Sequence, residues 1–141
     1  MILYLDTSSL VKLYIRETHS AVVKEWVKEA EIAATCRIAY PEAISALNRR
    51  LKQGDLSEKE YGMLISKFSK EWENFAAIDF DELEAGRFVG LYGLRSFDAV
   101  HLSAAKLLKA DSNNILISFS SFDEKLNSAA SSEGFAVLPP G

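Results

Sequence analysis

Cysteine occurs once in the 141-residue chain, at Cys36, so no internal disulfide can form. A lone cysteine near a strand end reads as a small buried apolar residue, and a reducing, cytoplasmic home is the default expectation. Histidine occurs twice, at His19 and His101, far apart in sequence. That leaves no Cys/His metal spacing and no support for a paired-imidazole mechanism. No apolar run is long enough to cross a bilayer, and the opening residues 1–5 are too few and lack the charged flank of a signal peptide. Positive charge is not in excess: Lys and Arg number 16 against 20 Asp and Glu, a net charge of −4. This argues against gripping nucleic acid by bulk charge, though a local basic rim can still hold phosphates. There is no repeat, linker or low-complexity tract, and no Gly-rich phosphate loop.

What is present is ordinary for a soluble globular protein: 48% hydrophobic and 26% charged residues. The length fits one domain, spanning 1–141. Apolar runs predict strands over 2–6, 31–35, 76–80, 115–119 and 135–138. Helical periodicity predicts helices over 8–16, 21–30, 41–53, 57–75, a stretch after Asp81, 96–110 and 121–132. Gly54 suits a left-handed cap between two of them, and Ser57 with Glu60 forms a capping-box pattern. Gly86, Gly90 and Gly93 weaken the helix after Asp81. Pro139-Pro140-Gly141 follows the last strand. Strands alternating with helices argue for an α/β fold with a central parallel sheet flanked by helices in three layers.

Four acids stand where an apolar run gives way to a helix start: Asp6, Glu42, Asp98 and Asp123. Taken singly, each has a bland explanation, because the helix dipole favours an acid in a first turn. Asp98 follows a candidate N-cap, Ser96. Glu42 follows Pro41, a favoured first helical residue. Asp123 lies three residues after Ser120, in a capping-box pattern. Taken together, acids at strand ends gather on one sheet edge, where α/β proteins build their sites. Carboxylates so gathered repel unless a cation joins them. Hard oxygen ligands select Mg²⁺ or Mn²⁺, and paired ions of that kind cut phosphodiesters. Periodicity places Asp6, Glu42 and Asp123 near strand ends but leaves Asp98 unplaced, since two helices separate the third and fourth strands.

Tyr4-Leu5-Asp6-Thr7-Ser8-Ser9-Leu10-Val11-Lys12-Leu13-Tyr14 resembles the opening of PIN-domain ribonucleases, in particular VapC-type toxins. The segments 39–47 around Glu42, 94–105 around Asp98 and 118–126 around Asp123 resemble that family's second, third and fourth acid segments, in family order. Two departures are mild: Cys36 stands where a serine is more usual, and Pro41 directly precedes the second acid. The resemblance implies a PIN-like domain with Asp98 beside the other acids. It implies a Mg²⁺- or Mn²⁺-dependent endoribonuclease, with Asp6, Glu42, Asp98 and Asp123 as metal ligands. It also implies a toxin silenced by a VapB-type antitoxin.

Around that set, Thr7, Ser8, Ser120 and Ser121 are candidates to orient a carboxylate or a metal water. Arg95, three residues before Asp98, is the basic residue best placed to hold a phosphate bidentately. Lys12 and Arg16 are weaker candidates. Arg49, Arg50 and Lys52 cluster where a helix C-terminus favours cations anyway. His101, one turn after Asp98, reads first as a satisfied helix histidine, and His19 as solvated. Tyr14, Trp26, Tyr61, Phe68 and Trp72 read mostly as core. Apolar surface left on the first four helices would suit a homodimer face or a partner's helix. Rival readings are a metal-dependent hydrolase of small phosphate esters and a non-catalytic PIN-fold binding module.

Overall fold

A computed structural model describes residues 1–113 and 115–139. Asn114 and the closing Pro140-Gly141 lie outside the described residues. Five parallel strands form one sheet among these residues: β1 (Ile2–Leu5), β2 (Ile32–Cys36), β3 (Ala76–Ile78), β4 (Ile117–Ser120) and β5 (Ala136–Leu138). Their spatial order is β3-β2-β1-β4-β5. The order reverses between β1 and β4, where Leu5 lies opposite Ser120. In open parallel sheets, crevices form at such a switch point, outside the strands' carboxyl ends.

Alternation along the strands fills both faces of the sheet. Leu3 and Leu5 point to one face and pack with Leu10, Val23, Ala43 and Phe68. That layer comprises α1 (Thr7–Leu10), α2 (Ser20–Glu29), α3 (Ala39–Lys52) and α4 (Glu58–Glu71). Ile2, Tyr4, Ile117 and Phe119 point the other way, against Phe88, Ala99, Leu102, Leu126 and Ala130. Those belong to α5 (Glu82–Tyr92), α6 (Ser96–Asp111) and α7 (Glu124–Ser132). Each large apolar side chain buried in this way contributes about 1.5–3 kcal/mol. Among the described residues, no helix is long and apolar enough to cross a membrane.

Several expected boundaries move, each for a local reason. The first helix, expected over 8–16, begins at Thr7 and tightens into a 3₁₀ turn over Val11–Leu13. It stops early because Ser20 closes a turn: its hydroxyl donates to the Ile15 carbonyl and accepts from the Glu17 N–H, both at 3.0 Å. The third helix starts two residues before Pro41, at Ala39. Proline is tolerated there because first-turn N–H groups lack intrahelical acceptors. Ser96 is the first residue of α6 rather than its cap; Arg95 is the cap, without a side-chain bond. Ser120 lies in β4, so it does not cap α7; Asp123 caps that helix itself by accepting from the Leu126 N–H at 2.9 Å.

Strand β4 begins at Ile117, and Ile115 and Leu116 before it are exposed. The helix over Glu82–Tyr92 forms despite Gly86 and Gly90, with Ala85 and Phe88 buried; Gly93 ends it in the left-handed region at φ 65°. The capping box of Ser57 and Glu60 is present, and Gly54 takes φ 84° as expected. The aromatic expectation holds for Phe68 and Tyr14, which are buried, whereas Trp26, Tyr61 and Trp72 are half-buried. The most exposed large apolar side chain is Leu83 on α5, so apolar surface is not confined to the first four helices.

Candidate active site

The four acids line one cleft of about 830 Å³ at the switch point. Asp6 leaves β1 and caps α1. Glu42 sits in the first turn of α3 and Asp98 in the first turn of α6. Asp123 caps α7 just past β4. The chain's return through α5 brings the start of α6 to this edge, the placement that periodicity alone did not give.

Asp6 is 3% exposed, and both its carboxylate oxygens accept hydrogen bonds. Its Oδ1 accepts from the Ser8 hydroxyl (2.7 Å) and the Ser9 N–H (3.0 Å), and its Oδ2 from the Ser121 hydroxyl (2.6 Å). Burial pushes its carboxyl above the usual range, against the pull of His101 and those donors. Ser8 and Ser121 also tie Asp6 to the turn carrying Asp123. The Ser8 hydroxyl accepts from the Phe122 N–H and the Ser121 hydroxyl from the Asp123 N–H, each at 3.0 Å. Ser120 behaves differently: its hydroxyl meets Ser9 at 2.7 Å, and it reaches Asp6 only through its carbonyl, which accepts the Asp6 N–H.

Glu42 Oε1 accepts from the Thr7 hydroxyl at 2.6 Å and from His101 Nε2 at 2.9 Å. Burial acts to raise its pKa, but these two bonds and the nearby imidazole outweigh it and hold the carboxyl below its ordinary value. Counting protons fixes the donor. The carboxylate only accepts, and Thr7 spends its one hydrogen on it, so His101 Nε2 must carry a proton. Nδ1 of the same ring lies 2.8 Å from the Tyr4 hydroxyl. Burial first, then Cys36, Asp6 and Glu42, raises the Tyr4 phenol far above its ordinary value, so it stays protonated and able to donate. His101 is therefore a buried, satisfied histidine that also grips an acid. Its place one turn after Asp98 hinted at this; nothing in the sequence hinted at Tyr4.

Asp98 and Asp123 are held differently, by a cation. Arg95, 80% exposed, spans them: Nε donates to Asp98 Oδ2 (3.2 Å) and an Nη to Asp123 Oδ2 (3.4 Å). Burial raises the Asp98 carboxyl, opposed by Arg95 and reinforced by the charges of Asp123 and Asp6. Elsewhere, Lys12 pairs with Glu17 and lies over the Phe122 ring, and His19, though exposed, stacks on that same ring. Cys36 is buried in β2.

Among the described residues, no three His, Cys, Asp or Glu converge closely enough to hold a metal ion as they stand. The donor chemistry nevertheless fits a hard divalent cation. Four carboxylates front one cavity, and the Arg95 guanidinium lies between two of them on an exposed, flexible stem. Mg²⁺ keeps several waters and needs only a few carboxylates, so modest side-chain movement suffices.

The PIN domain family model matches residues 3–131. Ribonuclease VapC45 of Mycobacterium tuberculosis is 30% identical over 98% of this chain and 95% of its own length. The crystal structure of PAE2754 from Pyrobaculum aerophilum superposes with a TM-score of 0.68 at 20% identity, covering 97% of this chain and 83% of that one. The structure of VapBC-1 from nontypeable Haemophilus influenzae gives 0.63 at 15% identity, covering 98% and 97%.

Proposed function

Because the chain belongs to the PIN-domain family, and within it to the VapC ribonucleases, we propose that it is a divalent-metal-dependent endoribonuclease acting as the toxin of a toxin–antitoxin pair. One observation carries this reading: four carboxylates from four separate segments line a single cleft at the sheet's switch point. Asp6, Glu42, Asp98 and Asp123 would hold Mg²⁺ or Mn²⁺, which supplies activation of water and neutralisation of charge developing on the phosphodiester. Ser8, Ser9 and Ser121 fix the Asp6 carboxylate, and Thr7 and His101 fix Glu42. Neither acid is then free to rotate away from the reacting group. Attack by water rather than the 2′-hydroxyl leaves 3′-hydroxyl and 5′-phosphate ends.

An antitoxin partner fits the same cleft. Arg95 already demonstrates how a guanidinium spans Asp98 and Asp123, and an arginine from a partner chain can take that role from outside. The active form in this reading is a homodimer in the cytoplasm. Against the small-ester hydrolase stands the width of the cleft, which extends along α3 well beyond the acids.

The test is cleavage of RNA strands by the purified chain, beside a small phosphate ester as control. Chelation should abolish strand cleavage, Mg²⁺ or Mn²⁺ should restore it, and Ca²⁺ should do so poorly, because it prefers longer bonds and more ligands. Full activity in excess chelator, or turnover of the small ester alone, overturns the reading. Co-purification with the product of the neighbouring gene tests the antitoxin.

A further inference from the structure

The basic cluster at the end of α3 is not a uniform surface. Arg50 is spoken for: it donates to Glu17 at 2.6 Å and lies 3.8 Å from Asp55. Lys52 is exposed and lines neither the acid cleft nor the cavity beside it. Arg49 differs from both. It lines the acid cleft and also the adjoining cavity of about 280 Å³, which shares Ser8, Val11 and Ala46 with the first. Among the described residues, Arg49 is the one cation on these two walls with no carboxylate partner. Lys12 and Arg50 pair with Glu17, and Arg95 with Asp98 and Asp123. The Arg49 guanidinium makes only a long contact, 3.5 Å, to the Ser45 hydroxyl one turn back.

Position adds a second constraint. Glu42, Ser45, Ala46 and Arg49 follow one face of α3 along the cleft wall. Seven residues separate Glu42 from Arg49, about 10 Å along the helix. That is a few nucleotide steps of a stacked strand. A helix C-terminus favours a cation there, but it does not explain why the cation next door is neutralised by two acids and this one by none.

We propose that Arg49 is a substrate-positioning residue: it holds a backbone phosphate a few nucleotides from the scissile one, where the strand leaves the acids for the second cavity. The inference rests on the ribonuclease reading and names a contact within that same site. A phosphate contact of this kind strengthens binding without regard to base sequence and adds about one unit to the salt slope. Arg49 does not touch the reacting bond, so its removal affects KM rather than kcat.

The experiment uses the whole 141-residue chain with the Asp6→Asn change, which is expected to suppress cleavage, and a fluorescent single-stranded RNA titrated over a range of salt. Expected results are a five- to tenfold weaker Kd for Arg49→Ala, on the order of one phosphate contact, with a salt slope lower by about one. Arg49→Lys should restore most of both, and Lys52→Ala, which removes the same charge from the same helix end, should change neither. In the cleavage-competent chain, Arg49→Ala should raise KM with kcat little changed. Affinity and slope unchanged by Arg49→Ala overturn the inference while leaving the ribonuclease reading intact. Equal losses for Lys52→Ala also overturn it, since they show generic attraction rather than a placed contact. Failure of the unmodified chain to cleave RNA overturns the reading and the inference with it.

Discussion

Asp6 and Glu42 differ from Asp98 and Asp123 in what holds them. Asp6 and Glu42, an inner pair by what grips them, take hydrogen bonds from donors belonging to the fold: three serine-derived groups on Asp6, a threonine and a histidine on Glu42. The outer acids share one borrowed cation, Arg95, which is 80% exposed. An exposed ion pair contributes little and is screened by salt, whereas buried donors to a carboxylate are fixed by packing. The inner half is thus preorganised, and the outer half is held by a charge that an incoming cation can replace.

The largest expected effect follows from breaking the inner half. Asp6→Asn should cut RNA cleavage on the order of 10³-fold, the scale for removing an electrostatic group at the reacting centre. The fold should survive, because asparagine also caps helices and can still accept from the Ser9 N–H. Single-turnover cleavage in saturating Mg²⁺ is the measurement; near-normal turnover would remove Asp6 from the ligand set.

Next come the residues that hold an inner acid. Thr7→Val keeps shape but deletes the 2.6 Å donor to Glu42. Groups that orient a metal ligand are typically worth 10–100-fold in affinity or activity, so a loss of about tenfold is expected in a Mg²⁺ titration of activity. Tyr4→Phe leaves His101 Nδ1 without its 2.8 Å partner in a buried site. An unsatisfied buried acceptor costs about 1–3 kcal/mol, so denaturant unfolding should register that loss. Imidazole nitrogen resonances should also report a disturbed His101 ring. Unchanged stability and resonances would mean that Tyr4 only packs there.

Disturbing the outer half should do less, and in the opposite direction for metal. Arg95→Gln removes the cation that shares Asp98 and Asp123. An exposed pair is worth at most about 1 kcal/mol, so Mn²⁺ should bind about two- to fivefold more tightly by calorimetry. Weaker Mn²⁺ binding would show that Arg95 supports the ion's site instead of competing for it.

This inner–outer division also marks how far the sequence could be read. The places of Asp6 and Asp123 near strand ends are legible, because each follows a short apolar run that gives way to a helix start. Thr7, Ser8 and Ser121 were legible for the same reason, lying next to those acids and now found bonded to Asp6 or Glu42. Ser120 was misread by proximity: strand alternation turns its hydroxyl to Ser9. Asp98 needed the family resemblance, since no local pattern tells how a chain returns through two helices. The Tyr4–His101–Glu42 relay joins residues 97 and 59 positions apart, a separation that periodicity cannot span. The end of α3 showed three cations, but which of them keeps a free charge depends on Glu17 and Asp55, reached only through the tertiary fold.

The smallest effect sharpens the comparison within the inner pair. Asp6 has its carboxyl raised by burial, while Glu42 has its own lowered by its donors despite burial. The signs for stability are therefore opposite. For Asp6 the folded state binds the proton more tightly than the unfolded state, so its contribution falls as pH rises from the ordinary carboxylate range through the raised value. For Glu42 the contribution is present above its ordinary pKa and is lost as pH falls through the lowered one. Asp6→Asn should therefore leave the metal-free protein equal in Tm at low pH and slightly higher near neutrality, by a few degrees at most for a chain of this size. Glu42→Gln should behave the other way, lowering Tm at neutral pH and converging with the unmodified chain in acid. Thermal melts of both variants in chelator across pH 3–8 decide the matter. Parallel curves for the two variants would mean that donors and burial weigh alike on both acids, and the distinction drawn between them would fail.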